Sequence, residues 1–504
     1  MLYRLVQSEW GTFVQRAAAG ERVVPRFCER EVAAFLRCGI LLHGFARVHC
    51  DDCGKDDVVA FSCKGRGFCP ACGTARMVDT AAWLVDRVIP EVPVRQWVLS
   101  LPYRVRVLCA YDPAICAGVR RILLRAVSGL YEGRARRQGL PRPRAGAVAF
   151  VQRFDSGLRV NLHFHVLWLD GVYASEPGSG RVEFCEHGEV TDGDVAKLVS
   201  AIRGRVVRYL RRLGKWPDAG AEDGTDGDAD LLLELGAAAV QGRRALGERA
   251  GERDMRVGRG SRSEPFVKRP LCADVDGFSL HAGVWVAARD RERLEKLCRY
   301  AGRPAIAESR LRLLPDGRVA YSLKKRWQDG TSHVVLTPQV LMERLCALVP
   351  RPKKHLVTYH GVLAPAAGLR PRVVPRVEAG EGGDAGCRHC GVAAAAGGEA
   401  VDPVAEPAAH EAAVRAVMVR RAVPHAPGAR RRSGRKRYPW AELLRRVWLV
   451  DVLVCPHCAG RRRLLAAIHD PVSIERVLVA TGLPTAAPEM APARSPPLQA
   501  DLPW

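Results

Sequence analysis

The sequence lacks the features that mark a membrane or secreted protein. No uninterrupted apolar run reaches the roughly 18 residues that a transmembrane helix needs. The first residues do not show the basic stretch followed by an apolar core that is typical of a signal peptide. A Walker loop for nucleoside triphosphates and an internal repeat are also missing. These absences predict a cytoplasmic protein with no membrane partner and no P-loop ATPase site.

Acidic residues are scarce relative to basic ones. The chain has 54 Asp and Glu against 78 Lys and Arg, which gives a formal net charge of +24 and a pI near 9.8. This balance excludes an ordinary acidic cytosolic enzyme and favours a polyanionic partner, most simply DNA. Arginine suits bidentate phosphate contacts. A high-GC coding bias, which also enriches arginine, is the alternative explanation.

Cysteine is plentiful, with 17 residues that include four Cys-x-x-Cys pairs. Without a signal peptide, such pairs indicate metal sites in a reducing compartment instead of disulfides. The spacing of Cys50, Cys53, Cys69 and Cys72 is typical of a four-thiolate Zn²⁺ ribbon. Cys63 is left over, either as a buried thiol or as an alternative ligand.

Two further pairs lie towards the end of the chain. Cys387 with Cys390, and Cys455 with Cys458, could form a second zinc site across the 64 residues that separate the pairs. The alternative is that both pairs bind no metal.

Shifts in composition along the chain predict five regions. They are a helical segment with the zinc ribbon (1–85), a core (86–365) with an insert at about 172–270, a flexible basic linker (366–437), a small C-terminal module (438–483) and a disordered tail (484–504).

A His-x-His pair lies within an apolar strand. In Asn161-Leu-His163-Phe-His165 the two imidazoles are two residues apart, so they share one face of the strand, as ligands of a divalent cation would. Two structural histidines with ordinary hydrogen-bond partners are the alternative. Further along, a short basic helix ends at Tyr300 and is followed by Gly302.

Together these segments resemble the rolling-circle transposases of the His-hydrophobic-His (HUH) class, in particular the IS91 and ISCR group. The resemblance is carried by collinear motifs, namely VAFSCKGRGFCPACG, WVLSLPYRVR, NLHFHVLWLDGVY, LHAGVWVAARDRERLEKLCRYAGRPAIAESRL, HLVTYHGVLAP and RYPWAELLRRVWLVDVLVCPHCAG. It implies an α+β fold. Its centre is a ferredoxin-like HUH nuclease core, an antiparallel or mixed sheet with helices, and small N-terminal and C-terminal zinc-binding modules are attached to it.

The resemblance also implies the roles of individual residues. His163 and His165 would bind Mg²⁺ or Mn²⁺, and Tyr300 would be the nucleophile. His281 is the first choice for a third ligand, with Asn161 and Gln152 as alternatives. The side chains expected to contact phosphate are Arg66, Arg299 and Arg303, and the tyrosines expected to be structural are Tyr103, Tyr173 and Tyr321.

The expected activity is nicking and rejoining of single-stranded DNA at element ends through a 5′-phosphotyrosine. Some family members have a second tyrosine four residues after the first, where this chain has Pro304, so a one-tyrosine mechanism is expected. The partner is DNA at the bacterial nucleoid, on which the protein can act as an oligomer. A plasmid replication initiator or relaxase of the same superfamily, and a zinc-dependent DNA-binding protein without chemistry, are the alternatives.

Overall fold

The computed structural model describes residues 1–175, 181–186, 188–216, 231–258, 270–327, 329–352, 354–375, 438–448 and 451–493. This part of the chain forms twelve α-helices, which are α1 (Leu2–Ala19), α2 (Arg26–Leu36), α3 (Pro70–Arg87), α4 (Tyr103–Tyr111), α5 (Pro113–Arg137), α6 (Asp192–Arg212), α7 (Leu231–Gln241), α8 (Arg291–Ala301), α9 (Pro338–Leu348), α10 (Arg370–Val373), α11 (Trp440–Trp448) and α12 (Pro471–Ala480).

The same residues form fifteen strands, and the pairs between them are antiparallel. They are β1 (Phe45–Cys50), β2 (Asp56–Ala60), β3 (Val94–Ser100), β4 (Gly146–Phe154), β5 (Val160–Leu169), β6 (Gly171–Ser175), β7 (Val182–Glu186), β8 (Met255–Val257), β9 (Cys272–Val275), β10 (Phe278–Val286), β11 (Leu311–Leu313), β12 (Val319–Ser322), β13 (His333–Leu336), β14 (Val357–Gly361) and β15 (Arg462–Ile468).

The central sheet has six strands in the order β14-β4-β5-β3-β10-β9. Its four inner strands occur along the chain in the order β3, β4, β5 and β10. Helix α5 lies between β3 and β4, and helix α6 lies between β5 and β10. The spatial order is therefore second, third, first, fourth, which is the ferredoxin-like β-α-β-β-α-β arrangement. The predicted α+β class with an antiparallel sheet is confirmed.

Both faces of this sheet are covered by helices, which explains why β5 is almost continuously apolar. On one face, Leu162 and Phe164 of β5 join a core built with α4, α5 and α6. On the other face, Leu167 and Leu169 pack against α3 and α8. The helix that follows the N-terminal cysteines therefore lies beside the helix that ends near Tyr300.

The motif WVLSLPYRVR spans two elements. Strand β3 ends at Ser100, and Pro102, whose φ is fixed by its ring, caps the start of helix α4. The predicted insert also builds part of the core, since α6 packs on α5, β9 and β10, and α7 packs on α4 and α9.

The C-terminal module returns to the N-terminal region. Strand β15 pairs with β1 so that Ile468 lies opposite Phe45, and α11 packs on α3. Part of the tail predicted to be disordered lies against α1, where the Ala491 N–H donates to the Gln7 carbonyl at 3.2 Å. Residues 376–437, most of the predicted linker, and residues 494–504 lie outside the described part of the chain.

In the described ranges, none of the helices combines the length and the apolarity that crossing a bilayer requires.

Candidate active site and metal centres

The His-x-His pair projects from the middle of the central sheet. Strand β5 lies between β4 and β3, so its odd-numbered side chains His163 and His165 leave the sheet on the face that α3 and α8 partly cover. Their ring centroids are 4.9 Å apart. His165 is 3 % exposed and His163 is partly exposed, so the pair is largely shielded from solvent.

Burial keeps both imidazoles neutral. Desolvation lowers the pKa of His163 to about 4 and that of His165 to about 3. The His163 Nδ1–H donates to the Asn161 carbonyl at 2.7 Å, which leaves the Nε2 lone pair of His163 available. Neutral imidazoles with a lone pair directed away from the backbone are the form that binds divalent cations.

His165 has one ring nitrogen without a hydrogen-bond partner. Its Nδ1 lies 3.1 Å from Gln96 Nε2, and its Nε2 is buried without a hydrogen-bond partner. If the Gln96 amide turns by 180°, its Oε1 accepts the Nδ1–H and the Nε2 lone pair of His165 is free to bind a cation. An orphaned nitrogen in this position fits a metal ligand.

Tyr300 is brought next to this pair by helix α8. The helix begins at Asp290, whose carboxylate accepts the Arg293 N–H at 3.0 Å, and ends at Gly302. The Tyr300 ring meets the His165 ring edge to face, with 5.6 Å between centroids, and is 45 % exposed. The phenol is thus accessible to a substrate and adjacent to the histidines.

The other three tyrosines lie in structural environments. Tyr173 and Tyr321 are buried, and burial raises the pKa of Tyr173 to about 12 and also raises that of Tyr321. The Tyr103 hydroxyl donates to the Ala237 carbonyl at 3.3 Å on helix α7. Of the four tyrosines singled out from the sequence, Tyr300 is the one that contacts the histidine pair.

Gln152 meets the pair from the neighbouring strand. It lies directly opposite His163 in the β4–β5 register and is 4 % exposed. Its Nε2 donates to the Ala301 carbonyl at 3.3 Å, which ties the end of α8 to the sheet. Its Oε1 is buried without a partner, as is Oδ1 of Asn161. Two amide oxygens are therefore available beside the histidines.

His281 does not converge on the pair. It lies opposite Val98, which in turn is opposite His165, so it is two strands away on the sheet. Its Nε2 points towards Gly283, where an added Cβ would be 3.0 Å away. Within the described residues, no third His, Cys, Asp or Glu ligand atom comes within 4.8 Å of both histidines. Of the alternatives from the sequence, Gln152 lies directly opposite His163, and Asn161 lies two residues before His163 on the same strand.

The three predicted phosphate-binding arginines differ in their placement. The Arg303 guanidinium carbon lies 5.0 Å from the centroid of the Tyr300 ring, and its Nε has no partner. Arg66 is exposed and donates to the Lys354 carbonyl. Both line one cavity beside the end of α8. Arg299 is partly exposed in the last turn of α8.

A first cluster of thiols lies in the N-terminal region and consists of Cys38, Cys63, Cys69 and Cys72. The sulfur of Cys38 is 3.8 Å from that of Cys69 and 3.9 Å from that of Cys72, and the Cys63 and Cys72 sulfurs are 3.3 Å apart. With Zn–S bonds of about 2.3 Å, the sulfurs of a tetrahedral site are roughly 3.8 Å apart. The cluster fits one Zn²⁺.

A second cluster joins the two ends of the chain and consists of Cys50, Cys53, Cys455 and Cys458. The Cys50–Cys458 and Cys53–Cys455 sulfur distances are 3.5 and 3.7 Å. Backbone N–H groups, foremost that of His457, lower the pKa of the Cys455 thiol to about 7. This cluster also has the dimensions of a zinc site.

The predicted ribbon of Cys50, Cys53, Cys69 and Cys72 is therefore divided between two clusters. The reason is the β1–β15 pairing, which places the knuckle at Cys455 next to Cys50 and Cys53. Cys63 takes the second of its two predicted roles, as a ligand. Cys38, a lone cysteine just after α2, was not predicted as a ligand, because it belongs to no Cys-x-x-Cys pair. Cys387 and Cys390 lie outside the described residues.

Comparison with protein families agrees with this arrangement. Residues 146–370, which include both histidines and Tyr300, match the family model described as "Putative transposase". Residues 5–101 match the transposase zinc-binding domain of the IS91 type, which includes the first cluster but not Cys455 and Cys458. No curated protein and no solved structure matched the chain. A zinc-binding domain followed by a transposase domain, in this order, identifies the chain as a member of the IS91 family of transposases.

Proposed function

We propose that this transposase nicks and rejoins single-stranded DNA at element ends through a 5′-phosphotyrosine formed on Tyr300. The observation that carries the proposal is the edge-to-face contact of Tyr300 with His165, at 5.6 Å between ring centroids. An exposed phenol, two neutral imidazoles and an unpaired arginine nitrogen meet there, which are the groups that a phosphodiester transfer requires.

The metal ligands in this proposal are the Nε2 atoms of His163 and His165 and the Oε1 of Gln152, with Asn161 as the nearest alternative. The orphaned state of His165 Nε2 and Gln152 Oε1 supports this choice. A Mg²⁺ or Mn²⁺ ion held there would act as a Lewis acid on the scissile phosphate.

The chemistry of the chain's own residues is then straightforward. The Tyr300 oxygen attacks phosphorus and loses its proton to solvent, one O–P bond forms, and the bond from phosphorus to the 3′ oxygen breaks. Arg303 places positive charge beside the Tyr300 ring, where it would stabilise the charge that develops on the reacting phosphate. Attack of a 3′-hydroxyl reverses the step, so no ATP is needed. The substrate would be element ends on chromosomal DNA, which places the protein in the cytoplasm at the nucleoid.

The test is incubation of the purified protein with Mn²⁺ and single-stranded DNA from element ends, followed by a denaturing gel. The wild type should form a covalent protein–DNA band, and Tyr300→Phe should form none while binding the DNA with unchanged affinity. Tyr103→Phe is the matched control and should retain the band. A band of full intensity from Tyr300→Phe would refute the assigned nucleophile.

The same experiment separates the two alternatives. A wild-type protein that binds zinc and DNA but never forms the adduct would be a DNA-binding protein without chemistry. An adduct that forms equally well on a plasmid replication origin and on element ends would favour an initiator or relaxase.

A further inference from the structure

Three cavities that share lining residues follow one another, starting beside the end of α8 that carries Tyr300. The first, of about 110 Å³, is lined by Gln152 and Arg303. It shares Arg153 and three neighbours with a second cavity of about 290 Å³. The second shares Arg120 and Ala117 with a third of about 310 Å³. We call this the arginine groove, and its basic residues are Arg66, Arg76, Arg120, Arg121, Arg125, Arg153, Arg303, Arg351, Lys354, His355 and His360.

The arginine groove has a single sign of charge. None of the described residues that line it is Asp or Glu, although these make up 54 of the 504 residues of the chain. Among the described residues, no carboxylate forms an ion pair with Arg120, Arg121 or Arg125. A surface that carries several cations and no carboxylate has a positive potential, which favours an anionic ligand.

The buried part of the groove has the same property. Arg153 donates to the carbonyls of Ala110 and Ala347 at 3.1 and 3.3 Å, and its Nε has no partner. Burial lowers the pKa of Arg120 and of Arg153, but a guanidinium stays charged at neutral pH. These partly buried side chains hold positive charge, and the neighbouring group that interacts with both is the thiol of Cys116, not a carboxylate.

The path of the groove changes from one face of the sheet to the other. Gln152 lies on the face of the histidine pair, whereas Ala147 and Val151 of the same strand β4 lie on the opposite face with α5. The crossing occurs at Pro350 and Leu356, just before β14 begins. Along β4 the groove extends roughly 25 Å at about 3.4 Å per residue.

We propose that the arginine groove binds the sugar-phosphate backbone of the single-stranded DNA that continues from the scissile phosphate. This rests on the proposed function, because it takes the scissile phosphate to lie at Tyr300. A duplex, with a persistence length near 50 nm, cannot turn around the edge of one sheet, whereas a single strand can. Trp168, the aromatic residue of the third cavity, is 2 % exposed, so recognition there is by phosphate contacts without base stacking.

The test compares two double variants that remove the same charge from exposed helical arginines. Arg121→Ala with Arg125→Ala alters the far end of the arginine groove. Arg205→Ala with Arg208→Ala, on α6 and outside the groove, is the control. Fluorescence anisotropy over a range of salt concentrations measures the affinity for end-derived single-stranded DNA and for the matching duplex.

The affinity for DNA falls as salt rises, so log K against log salt has a negative slope. For a single strand, each phosphate that the protein no longer neutralises lowers the absolute value of this slope by about 0.7. The groove variant should lower this absolute value by about 1.4 with single-stranded DNA, and the control should leave it unchanged. Lys354→Ala, in the middle of the groove, should lower it by about 0.7 and is a second, independent variant. Equal slopes for the groove variant and the control, or the same decrease with duplex DNA, would overturn the proposal.

Adduct formation distinguishes this proposal from the catalytic one. The control variant should form the Tyr300 adduct as the wild type does, because Arg205 and Arg208 lie outside the groove and away from the reacting phosphate. If the wild type forms no adduct, the proposed reaction is wrong, but the salt slopes still decide whether the groove binds the strand.

Discussion

Replacing Cys455 and Cys458 by serine should release one of two zinc ions and detach the C-terminal module. These residues supply two of the four thiols of the second cluster, and the two thiols that stay behind, Cys50 and Cys53, cannot complete a tetrahedral site. We therefore expect the zinc content to fall from about two equivalents per chain to about one, as measured by elemental analysis of the purified protein.

The folding free energy that zinc contributes is large compared with that of the other interactions of the module. A structural zinc contributes on the order of 10 kcal/mol to folding, whereas a unit of this size obtains only a few kcal/mol from its core. That core consists of small groups, such as Leu443 and Leu444 against α3, and Ile474 and Leu478 against Phe45. Without zinc, the module should detach from the rest of the protein.

Limited proteolysis and amide exchange measure this detachment. Residues 438–483 should become the first region cleaved, and the amides of β1 that pair with β15 should lose protection. Cys185→Ser with Cys272→Ser, two cysteines outside both clusters, is the matched control and should change neither zinc content nor cleavage.

A second arm tests the division of the cysteines. If the first cluster binds zinc as the structure arranges it, Cys38→Ser should weaken zinc binding there, although the ribbon predicted from the sequence does not include Cys38. Unchanged zinc content in both the Cys38 variant and the Cys455/Cys458 double variant would refute the two-cluster arrangement.

Two further predictions concern the candidate active site and its support. Gln152→Ala should weaken Mn²⁺ binding at least about tenfold in titration calorimetry, whereas Gln152→Glu should restore an oxygen ligand and much of the affinity. His281→Ala should leave the Mn²⁺ affinity unchanged, and a loss of affinity in the His281 variant alone would show that His281 is the third ligand. Arg446→Ala should destabilise the protein by about 1 kcal/mol in denaturant unfolding, because it leaves Asp86 and the largely buried Glu295 without their ion pairs to this side chain. Arg445→Ala on the same helix is the control, and equal effects of the two variants would show that these ion pairs contribute nothing.

The histidine pair and Tyr300 could be located from the sequence because their signals are local. Alternation along one strand places His163 and His165 on the same face, whatever the rest of the chain does. Tyr300 is found at a helix end that Gly302 terminates. The ring contact between Tyr300 and His165 depends on the packing of α8 across the sheet, and for that the sequence offered only the family resemblance.

The position of Gln152 could not be derived in the same way, because it depends on a bulge. The β4–β5 hairpin pairs Phe154 with Val160, and continuing this register would place Gln152 opposite Leu162, on the wrong face. A register shift between Gln152 and Phe154 adds one residue and turns Gln152 towards His163. The turn residues alone do not predict that irregularity.

The division of the cysteines depends on contacts between the most distant parts of the chain. Each Cys-x-x-Cys pair is a complete half-site, and spacing does not determine which two halves combine. The partner of Cys50 and Cys53 was set by the pairing of β1 with β15, some 400 residues later. The lone Cys38 had no partner nearby that would have marked it as a ligand.

The zinc-binding region also borders the candidate active site, which its name as a separate domain would not suggest. Arg66 lies between Cys63 and Cys69 of the first cluster and lines the same cavity as Arg303. One turn of helix further on, Gly73 approaches Pro304 so closely that a Cβ there would be 2.6 Å from the proline. Zinc at the first cluster therefore fixes the loop that carries Arg66 and the helix end against which the segment after Tyr300 packs. Because the second cluster holds the C-terminal module, whose α11 packs on that same helix α3, both clusters act on the support of the proposed nucleophile.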